Sequence, residues 1–557
     1  MIRSLDLETV PAAGEGIVVA RVINATSYPA PLNQLTIAPE NLNASEEIKY
    51  QRLSSAAPKF NGTTVFAAPV AAGRYTLTSL RAYHSNDVYR YDHFVPGGTD
   101  LGTFDVRPGE VTDLGQLVYY LRTDGDTFYK EIIRIPDEPG DVLKKHFRFY
   151  EFNTNTIRGW EDDGREDEFN TFFASAAQNP TAFADPYLAP DGSIFFLGKL
   201  GVILKRTTDG NWELDVVDTN LDLTTMVQNE RGDTVVGGVE GRVFVKQAGG
   251  EWQDLSLDPN YDVEHVVFHE DGRIDLIGLD SHRLAVFRAD LGAPAPVWAE
   301  INAYQTSIGW TSTPLELNES RGGRPVVRPR QIVRSELHEV NGQYFIRVFS
   351  TGRLANPLFI SASSKDFVYH RDTWKTATPS KKPEIFSVLP AGHVQIGVKA
   401  PGAWSWTGLP EYSRYVDSTR SWEEINAFVY RCNDEITTDR VCAARHKRDQ
   451  AEAPDKDRFT FRSPPWFYSD TEALAIVTFT DRNVWAGTTD YDVRILKTEN
   501  GGRTWFDSGL SRPSELCSRF VSELQDRLLM SCSNTGDFYE STDFGETWTH
   551  VRQHENF

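Results

Sequence analysis

The chain of 557 residues lacks the patterns that mark membrane-spanning and nucleic-acid-binding proteins. No stretch approaches about 18 consecutive apolar residues, so the sequence predicts no transmembrane helix. Basic residues are in deficit, with 57 Lys and Arg against 79 Asp and Glu, and the formal net charge is −22. A surface of this sign repels phosphate backbones, which excludes general binding to nucleic acids.

Motifs of several enzyme and metal-binding classes are also missing. The chain contains no Gly-x-Ser-x-Gly elbow, no His-Glu-x-x-His sequence and no Walker loop. The histidines are dispersed, and we expect those at 265, 269 and 282 to be structural. The acidic run 161–168 lacks the spacing of an EF-hand loop and predicts a solvated turn. The sequence therefore predicts no metal ion and no cofactor.

Cysteine is scarce, and the four residues form two sequence-local pairs. Cys517 and Cys532 flank a predicted hairpin, which would bring their sulfurs together, and Cys432 and Cys442 close a polar loop. Two local disulfides are typical of exported proteins, so we expect a periplasmic, outer-membrane-surface or secreted location. The first residues do not read as a signal peptide, which does not decide the compartment, and a lipid anchor stays open.

Glycine-marked repeats dominate the second part of the chain. Each repeat consists of a polar turn, then a β-rich run, and then a glycine. The three glycines are Gly198, Gly237 and Gly278. Their spacing of about forty residues is that of one β-propeller blade, a four-stranded sheet. After each glycine comes another predicted strand, and in the fuller copies this strand leads to a turn and a tryptophan. The high aromatic content of 12% and the scattered Gly and Pro residues suit many short strands joined by tight turns.

The two fullest repeats are Thr-Glu-Asn-Gly-Gly-Arg-Thr-Trp at 498–505 and Ser-Thr-Asp-Phe-Gly-Glu-Thr-Trp at 541–548. They resemble the Asp box, or BNR repeat, of the sialidase-like β-propeller superfamily. The resemblance implies a hairpin turn between the outer two strands of a blade. A short acid or amide caps backbone N–H groups, glycine supplies a positive φ, and the indole packs across the turn. The residues that would fill these positions are Asn500, Gly502, Trp505, Ser541, Asp543, Gly545 and Trp548.

The predicted fold class is all-β, with an N-terminal β-sandwich followed by a β-propeller of about seven four-stranded blades. We predict the sandwich at 14–122, a polar connector at 123–174 and the propeller at 175–557. The segments 72–77 and 104–115 resemble parts of prealbumin-like or immunoglobulin-like domains of bacterial envelope proteins. The blade count follows the tryptophans expected on fourth strands: Trp212, Trp252, Trp298, Trp374, Trp422, Trp505 and Trp548.

A glycoside hydrolase acting on an acidic sugar is the enzymatic alternative. The resemblance to sialidases implies arginines that hold the substrate carboxylate and a tyrosine nucleophile assisted by a glutamate. Arg134, in Ile-Arg-Ile-Pro at 133–136, partly matches the first arginine motif, and Glu411 with Tyr412 is the suggestive nucleophile pair. The motif lies well before the first recognisable blade, and acids follow it directly. These two departures favour a protein without catalysis.

The favoured function is binding by an exported cell-envelope protein, a scaffold that engages a protein partner or a glycan through propeller loops, alone or within a larger envelope complex. Large aromatic side chains in loops suit such contacts because they bury area at low entropic cost. Packing in the core between blades is the alternative for the same residues, and a carbohydrate-binding propeller is a further alternative. The candidate binding residues are Trp404, Trp406, Trp466, Phe467 and Tyr468.

Overall fold

The structure is a computed structural model, and the residues that it describes fall into ranges separated by gaps. These are residues 2–3, 11–26, 32–40, 50–57, 63–85, 90–96, 101–124, 127–135, 157–162, 164–178, 183–184, 186–258, 260–269, 271–280, 283–293, 296–305, 331–340, 342–353, 360–377, 387–391, 394–399, 411–416, 418–419, 421–425, 427–432, 435–437, 459–483, 488–521, 524, 527–532 and 535–552.

Eleven strands of the N-terminal part form one connected sheet. The main path is β10-β9-β2-β5-β4-β3-β6-β7, while β1 pairs with β4, β11 with β9 and β8 with β6. The strands are β1 (Ile2–Arg3), β2 (Glu15–Asn24), β3 (Gln34–Pro39), β4 (Gln51–Ala57), β5 (Thr63–Ala71), β6 (Gly73–Ser85), β7 (Arg90–Pro96), β8 (Thr103–Val106), β9 (Val111–Asp124), β10 (Thr127–Ile135) and β11 (Ile157–Arg158).

Strand β2 lies at the centre of this sheet, because it pairs antiparallel with β5 and parallel with β9. Every residue from Gly16 to Asn24 is buried, as expected for a strand covered on both faces. Gly16 is required by close packing, since a Cβ there would lie 2.3 Å from the carbonyl oxygen of Arg107. The β-rich run at 16–22 therefore forms the central strand of the N-terminal sheet.

Part of the predicted connector at 123–174 is regular secondary structure. Strand β10 lies in this segment and pairs with β9 along its whole length. Helix α1 (Glu166–Gln178) follows, and its Phe169 and Ala176 are buried in the same hydrophobic cluster as the strands. The polar composition of the segment hid this strand and this helix. The N-terminal domain therefore extends beyond residue 122.

Four-stranded antiparallel sheets follow in chain order, which is the repeating unit of a β-propeller and confirms the predicted fold class. The first two are β12-β13-β14-β15 and β16-β17-β18-β19. The third sheet begins with β20. Their strands are β12 (Tyr187–Leu188), β13 (Ile194–Leu197), β14 (Val202–Arg206), β15 (Trp212–Val216), β16 (Leu223–Gln228), β17 (Thr234–Gly238), β18 (Val243–Lys246), β19 (Trp252–Asp254) and β20 (Asp262–Phe268).

The later sheets continue the pattern, with a short hairpin of β31 and β32 between them. Within the described ranges, seven sheets follow the N-terminal one, which agrees with the predicted count of about seven. Five of them have four strands, β24-β25-β26 has three, and the sheet of β33 to β37 has five. The strands are β21 (Arg273–Asp280), β22 (Arg283–Asp290), β23 (Ala299–Gln305), β24 (Gln331–Val340), β25 (Gln343–Arg353), β26 (Ile360–His370), β27 (Ser387–Ala391), β28 (Val394–Lys399), β29 (Glu411–Val416), β30 (Ser421–Glu424), β31 (Tyr430–Cys432), β32 (Glu435–Thr437), β33 (Phe459–Phe461), β34 (Trp466–Phe467), β35 (Ala473–Asn483), β36 (Thr488–Thr498), β37 (Phe506–Asp507), β38 (Cys517–Val521), β39 (Leu528–Cys532), β40 (Phe538–Ser541) and β41 (Thr549–Arg552).

Burial within these sheets depends on strand position. The second strands β13 and β17 are buried at every residue. The fourth strands β15 and β19 are largely exposed or half-buried. Inner strands accordingly read as continuous apolar runs, whereas outer strands mix apolar and charged residues.

The chain divides into two compact units. The first is Met1–Phe268 together with His554–Phe557, and the second is His269–Gln553. The division does not coincide with the predicted bounds at 122 and 174. In the first unit, the N-terminal strands share one hydrophobic cluster with Leu200, Leu221 and Val239 of the first two blade-like sheets. The immunoglobulin-like or prealbumin-like character of the N-terminal domain stays a prediction.

A disulfide joins Cys517 of β38 to Cys532 of β39, which confirms one of the two predicted pairs. The two residues face each other in the strand register. Cys442 and the side chain of Cys432 lie outside the described residues.

We expect the double variant Cys517→Ala/Cys532→Ala to lower the free energy of unfolding of the second unit. The disulfide has a sequence separation of 15, and loss of a cross-link over such a loop costs about 3 kcal/mol. Guanidinium denaturation followed by tryptophan fluorescence measures the change. Ser518→Ala/Ser531→Ala, at half-buried positions on the same two strands, is the matched control. A denaturation midpoint equal to that of the wild type would contradict the stabilising role.

Candidate functional site: an aromatic patch at two tryptophan turns

Two turns of eight residues connect the third and fourth strands of the last two sheets. We name them the Trp505 turn, residues 498–505, and the Trp548 turn, residues 541–548. In each, the first hydroxyl accepts a hydrogen bond from a glycine N–H four residues on. The distances are 3.0 Å from Gly502 N to Thr498 Oγ1 and 2.7 Å from Gly545 N to Ser541 Oγ. Both glycines have φ of +88°, which a residue with a Cβ rarely adopts.

The third position of each turn caps the backbone further along. Asn500 Oδ1 accepts the Thr504 N–H at 3.0 Å, and Asp543 Oδ1 accepts the Thr547 N–H at 2.9 Å. The hydroxyl and N–H of Thr547, with the Ser541 hydroxyl, lower the pKa of Asp543 to about 2. The turns are therefore held by their own side chains, and Asp543 is ionised at neutral pH.

The tryptophans that end the turns donate hydrogen bonds away from their own sheets. Trp505 is fully buried, and its Nε1–H donates to the carbonyl of Ile425, just after β30 of the preceding sheet, at 3.1 Å. Trp548 Nε1–H donates to the carbonyl of Ser511, after β37, also at 3.1 Å. Each indole thus ties its turn to residues that follow the outer strand of the preceding sheet.

Phe544 and Gly501 occupy the same position in the two turns, and both have a left-handed backbone. The φ angle is +73° at Gly501 and +58° at Phe544. A residue with a Cβ loses about 1–2 kcal/mol in this conformation. Phe544 nevertheless occupies the position, and its side chain is 51% exposed. The Trp548 turn therefore displays a large apolar ring at a position where glycine would relieve the strain.

The Phe544 ring lies on two other aromatic rings. Its centroid is 4.5 Å from that of Tyr468 and 6.1 Å from that of Trp466. Trp466 is buried beneath them, and its Nε1–H donates to the carbonyl of Leu524 at 2.7 Å. We name the rings of Tyr468 and Phe544, together with the supporting Trp466, the Phe544 patch. It is a half-exposed aromatic surface on a rigid base.

Two of the predicted binding residues are buried, whereas the prediction placed them on the surface. Trp466 and Phe467 are 1% and 0% exposed, so they pack in the core and present no ring to a partner. The prediction assumed a loop, but the two residues form strand β34, which pairs with β35. Tyr468, the next residue, is half-buried and belongs to the surface. Trp404 and Trp406 lie outside the described residues.

The residues suggested for glycoside hydrolysis lie in different compact units. Arg134, on β10, is buried, with its guanidinium 5.2 Å from the Trp160 ring and 5.0 Å from the Phe169 ring. Tyr412, on β29, is buried, and its ring makes an edge contact with Phe461 at 5.4 Å. The side chain of Glu411 lies outside the described residues. Both side chains are buried in positions that suit packing.

A buried charged network in the second unit was missed at the level of sequence. The Asp275 carboxylate is fully buried and receives hydrogen bonds from Arg288 Nε at 2.6 Å and Nη2 at 2.7 Å. It also bonds to His269 Nε2 at 2.7 Å and Trp374 Nε1 at 2.6 Å. An acid within the apolar run Ile-Asp-Leu-Ile at 274–277 was the available signal, because buried acids are rarely unpaired.

Neither a membrane-crossing helix nor a metal-binding cluster is found among the described residues. None of the helices there has both the length and the hydropathy of a membrane-crossing segment. No group of three or more His, Cys, Asp or Glu side chains in those ranges is arranged to hold a metal ion.

The chain matches no family model and no curated protein sequence. Similar solved structures include YCF48 bound to D1 peptide, 10% identical over 65% of this chain and 92% of that chain, with a TM-score of 0.33. YCF48 from Cyanidioschyzon merolae is 11% identical over 65% and 93%, with a TM-score of 0.30. The β-propeller domain of the Trilobed protease from Pyrococcus furiosus is 8% identical over 67% and 99%, with a TM-score of 0.32. These scores are low, so the description of the fold rests on the chain's own series of sheets.

Proposed function

We propose that this protein is a non-catalytic binding module that engages a protein partner through the Phe544 patch. The observation that carries the proposal is the exposed phenylalanine at φ +58°, where the twin turn has Gly501. Backbone strain of this kind persists where the surrounding structure holds it, and it is concentrated at binding and catalytic sites. Aromatic rings on a rigid base are also the side chains that contribute most to protein interfaces.

The packing of the patch supports its use as a preformed surface. The hydrogen bonds of Ser541 and Asp543 fix the backbone on both sides of Phe544. The contact with Tyr468 restricts the ring itself. A ring held in one place loses little conformational freedom when a partner covers it, so more of the contact energy appears as affinity.

Replacing Phe544 with glycine separates binding from folding. Relief of strain offsets the loss of ring contacts worth about 0.5–1.5 kcal/mol, so we expect the free energy of unfolding to change by less than about 1 kcal/mol. Partner capture should be lost. The measurement is quantitative affinity capture from native envelope extracts, with thermal unfolding recorded for each protein used as bait.

Tyr491→Ser is the matched control, because Tyr491 is 65% exposed on β36 and is not part of the patch. It should capture the same partners as the wild type. Capture by Phe544→Gly at the wild-type level would refute the proposal. A glycan array probed with the same three proteins tests the carbohydrate alternative, and a sialoside hydrolysis assay with an Arg134→Ala control tests the enzymatic one.

The proposal includes an extracytoplasmic location, in the periplasm, at the outer-membrane surface or secreted. The Cys517–Cys532 disulfide supports it, because oxidising compartments maintain such bonds whereas the cytosol reduces them. Membership in the Asp-box superfamily is proposed on the two tryptophan turns, and participation in a larger envelope complex is proposed with it.

A further inference from the structure

The two segments that carry the exposed rings are acidic. Tyr468 lies in the segment 468–472, and Phe544 lies in the Trp548 turn. Together these segments contain four carboxylates, Asp470, Glu472, Asp543 and Glu546, and no basic residue. The aromatic surface is therefore flanked by negative charge from both of the chain segments that build it.

Lys497, a basic side chain that interacts with Tyr468, is already paired. Lys497 Nζ lies 3.3 Å from Glu472 Oε1 and 3.4 Å from Glu499 Oε1. Burial is the largest influence on Tyr468 and raises the pKa of its phenol, so this ring is uncharged at neutral pH. Two carboxylates around one ammonium leave a net negative charge in this cluster beside Tyr468.

We propose, building on the proposed function, that the Phe544 patch binds a basic segment of its protein partner, with an arginine or lysine side chain lying over the rings of Tyr468 and Phe544. Cations bind the faces of aromatic rings, and neighbouring carboxylates add charge complementarity. An acidic segment would meet repulsion at this surface, and an uncharged segment would gain no attraction from its carboxylates.

The test uses three short fluorescein-labelled peptides and the full-length protein. One contains arginine in a Gly and Ser background, the second has citrulline in place of arginine, and the third has glutamate. Fluorescence anisotropy should show the arginine peptide binding at least about tenfold more tightly than the citrulline peptide, with no binding of the glutamate peptide. Phe544→Gly should weaken binding of the arginine peptide by about fivefold.

A charge control distinguishes the patch from attraction by the whole protein, whose net charge is −22. Asp470→Asn/Glu546→Gln removes two exposed charges beside the rings and should weaken binding about threefold, with a smaller salt dependence. Glu230→Gln/Glu251→Gln removes two exposed charges in the other compact unit and should leave affinity unchanged. Equal weakening by both double variants would overturn the proposal, and so would equal binding of the arginine and citrulline peptides.

Failure of this inference can be told apart from failure of the proposed function. If Phe544→Gly abolishes partner capture while the arginine peptide neither binds nor competes with the captured partner, the patch is an interface but not for a basic segment. If Phe544→Gly leaves capture intact, both proposals fall.

Discussion

Replacing Asp275 with alanine should lower the free energy of unfolding of the second unit by about 3–5 kcal/mol, because removal of one partner from a buried ion pair leaves the other charge uncompensated. Arg288 would lose its bidentate acceptor. His269 and Trp374 would each lose a hydrogen bond to the same carboxylate. Guanidinium denaturation followed by tryptophan fluorescence measures the loss.

Asp271→Ala is the matched control for this experiment. Asp271 lies four residues earlier, and its side chain is 52% exposed and paired with Arg273. Exposed pairs of this kind contribute about 0–1 kcal/mol, so this variant should resemble the wild type. Similar losses of unfolding free energy in the two variants would show that the buried network stabilises the fold no more than an exposed ion pair does.

The pH dependence of the network has a defined sign. Burial by itself raises the pKa of Asp275, but the hydrogen bonds from Arg288, His269 and Trp374 outweigh it and lower the pKa from 3.8 to about 2. A depressed carboxyl pKa stabilises the fold above the unfolded value, and the contribution, about 2 kcal/mol, is lost as the pH falls through the folded one. We therefore expect circular dichroism to show a steeper loss of stability between about pH 4 and 2 in the wild type than in Asp275→Ala.

The second large effect is expected at the ion pair of Arg21 and Glu240 in the first unit. Arg21 lies on β2 of the N-terminal sheet, and Glu240 lies two residues after β17 of the second blade-like sheet. Their side chains are 8% and 9% exposed, with 3.4 Å between Nη2 and Oε2. Arg21→Met should cost about 3–5 kcal/mol, because the Glu240 carboxylate stays buried without its cation. Hydrogen exchange of the β2 and β17 amides should report the weakening in both elements.

A double-mutant cycle isolates this interaction. Arg21→Met, Glu240→Gln and the double variant together give the coupling free energy, which should exceed about 1 kcal/mol for residues in direct contact. Arg242→Met serves as the control, since Arg242 is 40% exposed and its ion pair with Asp254 is long, at 3.8 Å. A coupling energy near zero would mean that the pair is incidental to the packing of the two elements.

The sequence by itself determined the features that depend on neighbouring residues. Three features are local in the chain. They are the side-chain caps of the Trp548 turn, the glycines at φ +88° and the disulfide across β38 and β39. Such features follow from local hydrogen bonding and burial, so the all-β fold and its repeat could be predicted.

Only the tertiary structure decided which side chains are exposed and which partners the charged groups have. The sequence predicted Trp466 and Phe467 as exposed loop residues. In the structure they form strand β34, which pairs with β35, and both are buried. Asp275 meets a tryptophan 99 residues away in the sequence, and the Phe544 patch joins segments that only adjacent sheets bring together. Contacts over such separations depend on how sheets pack, and no local pattern encodes which side chains then remain in contact with water.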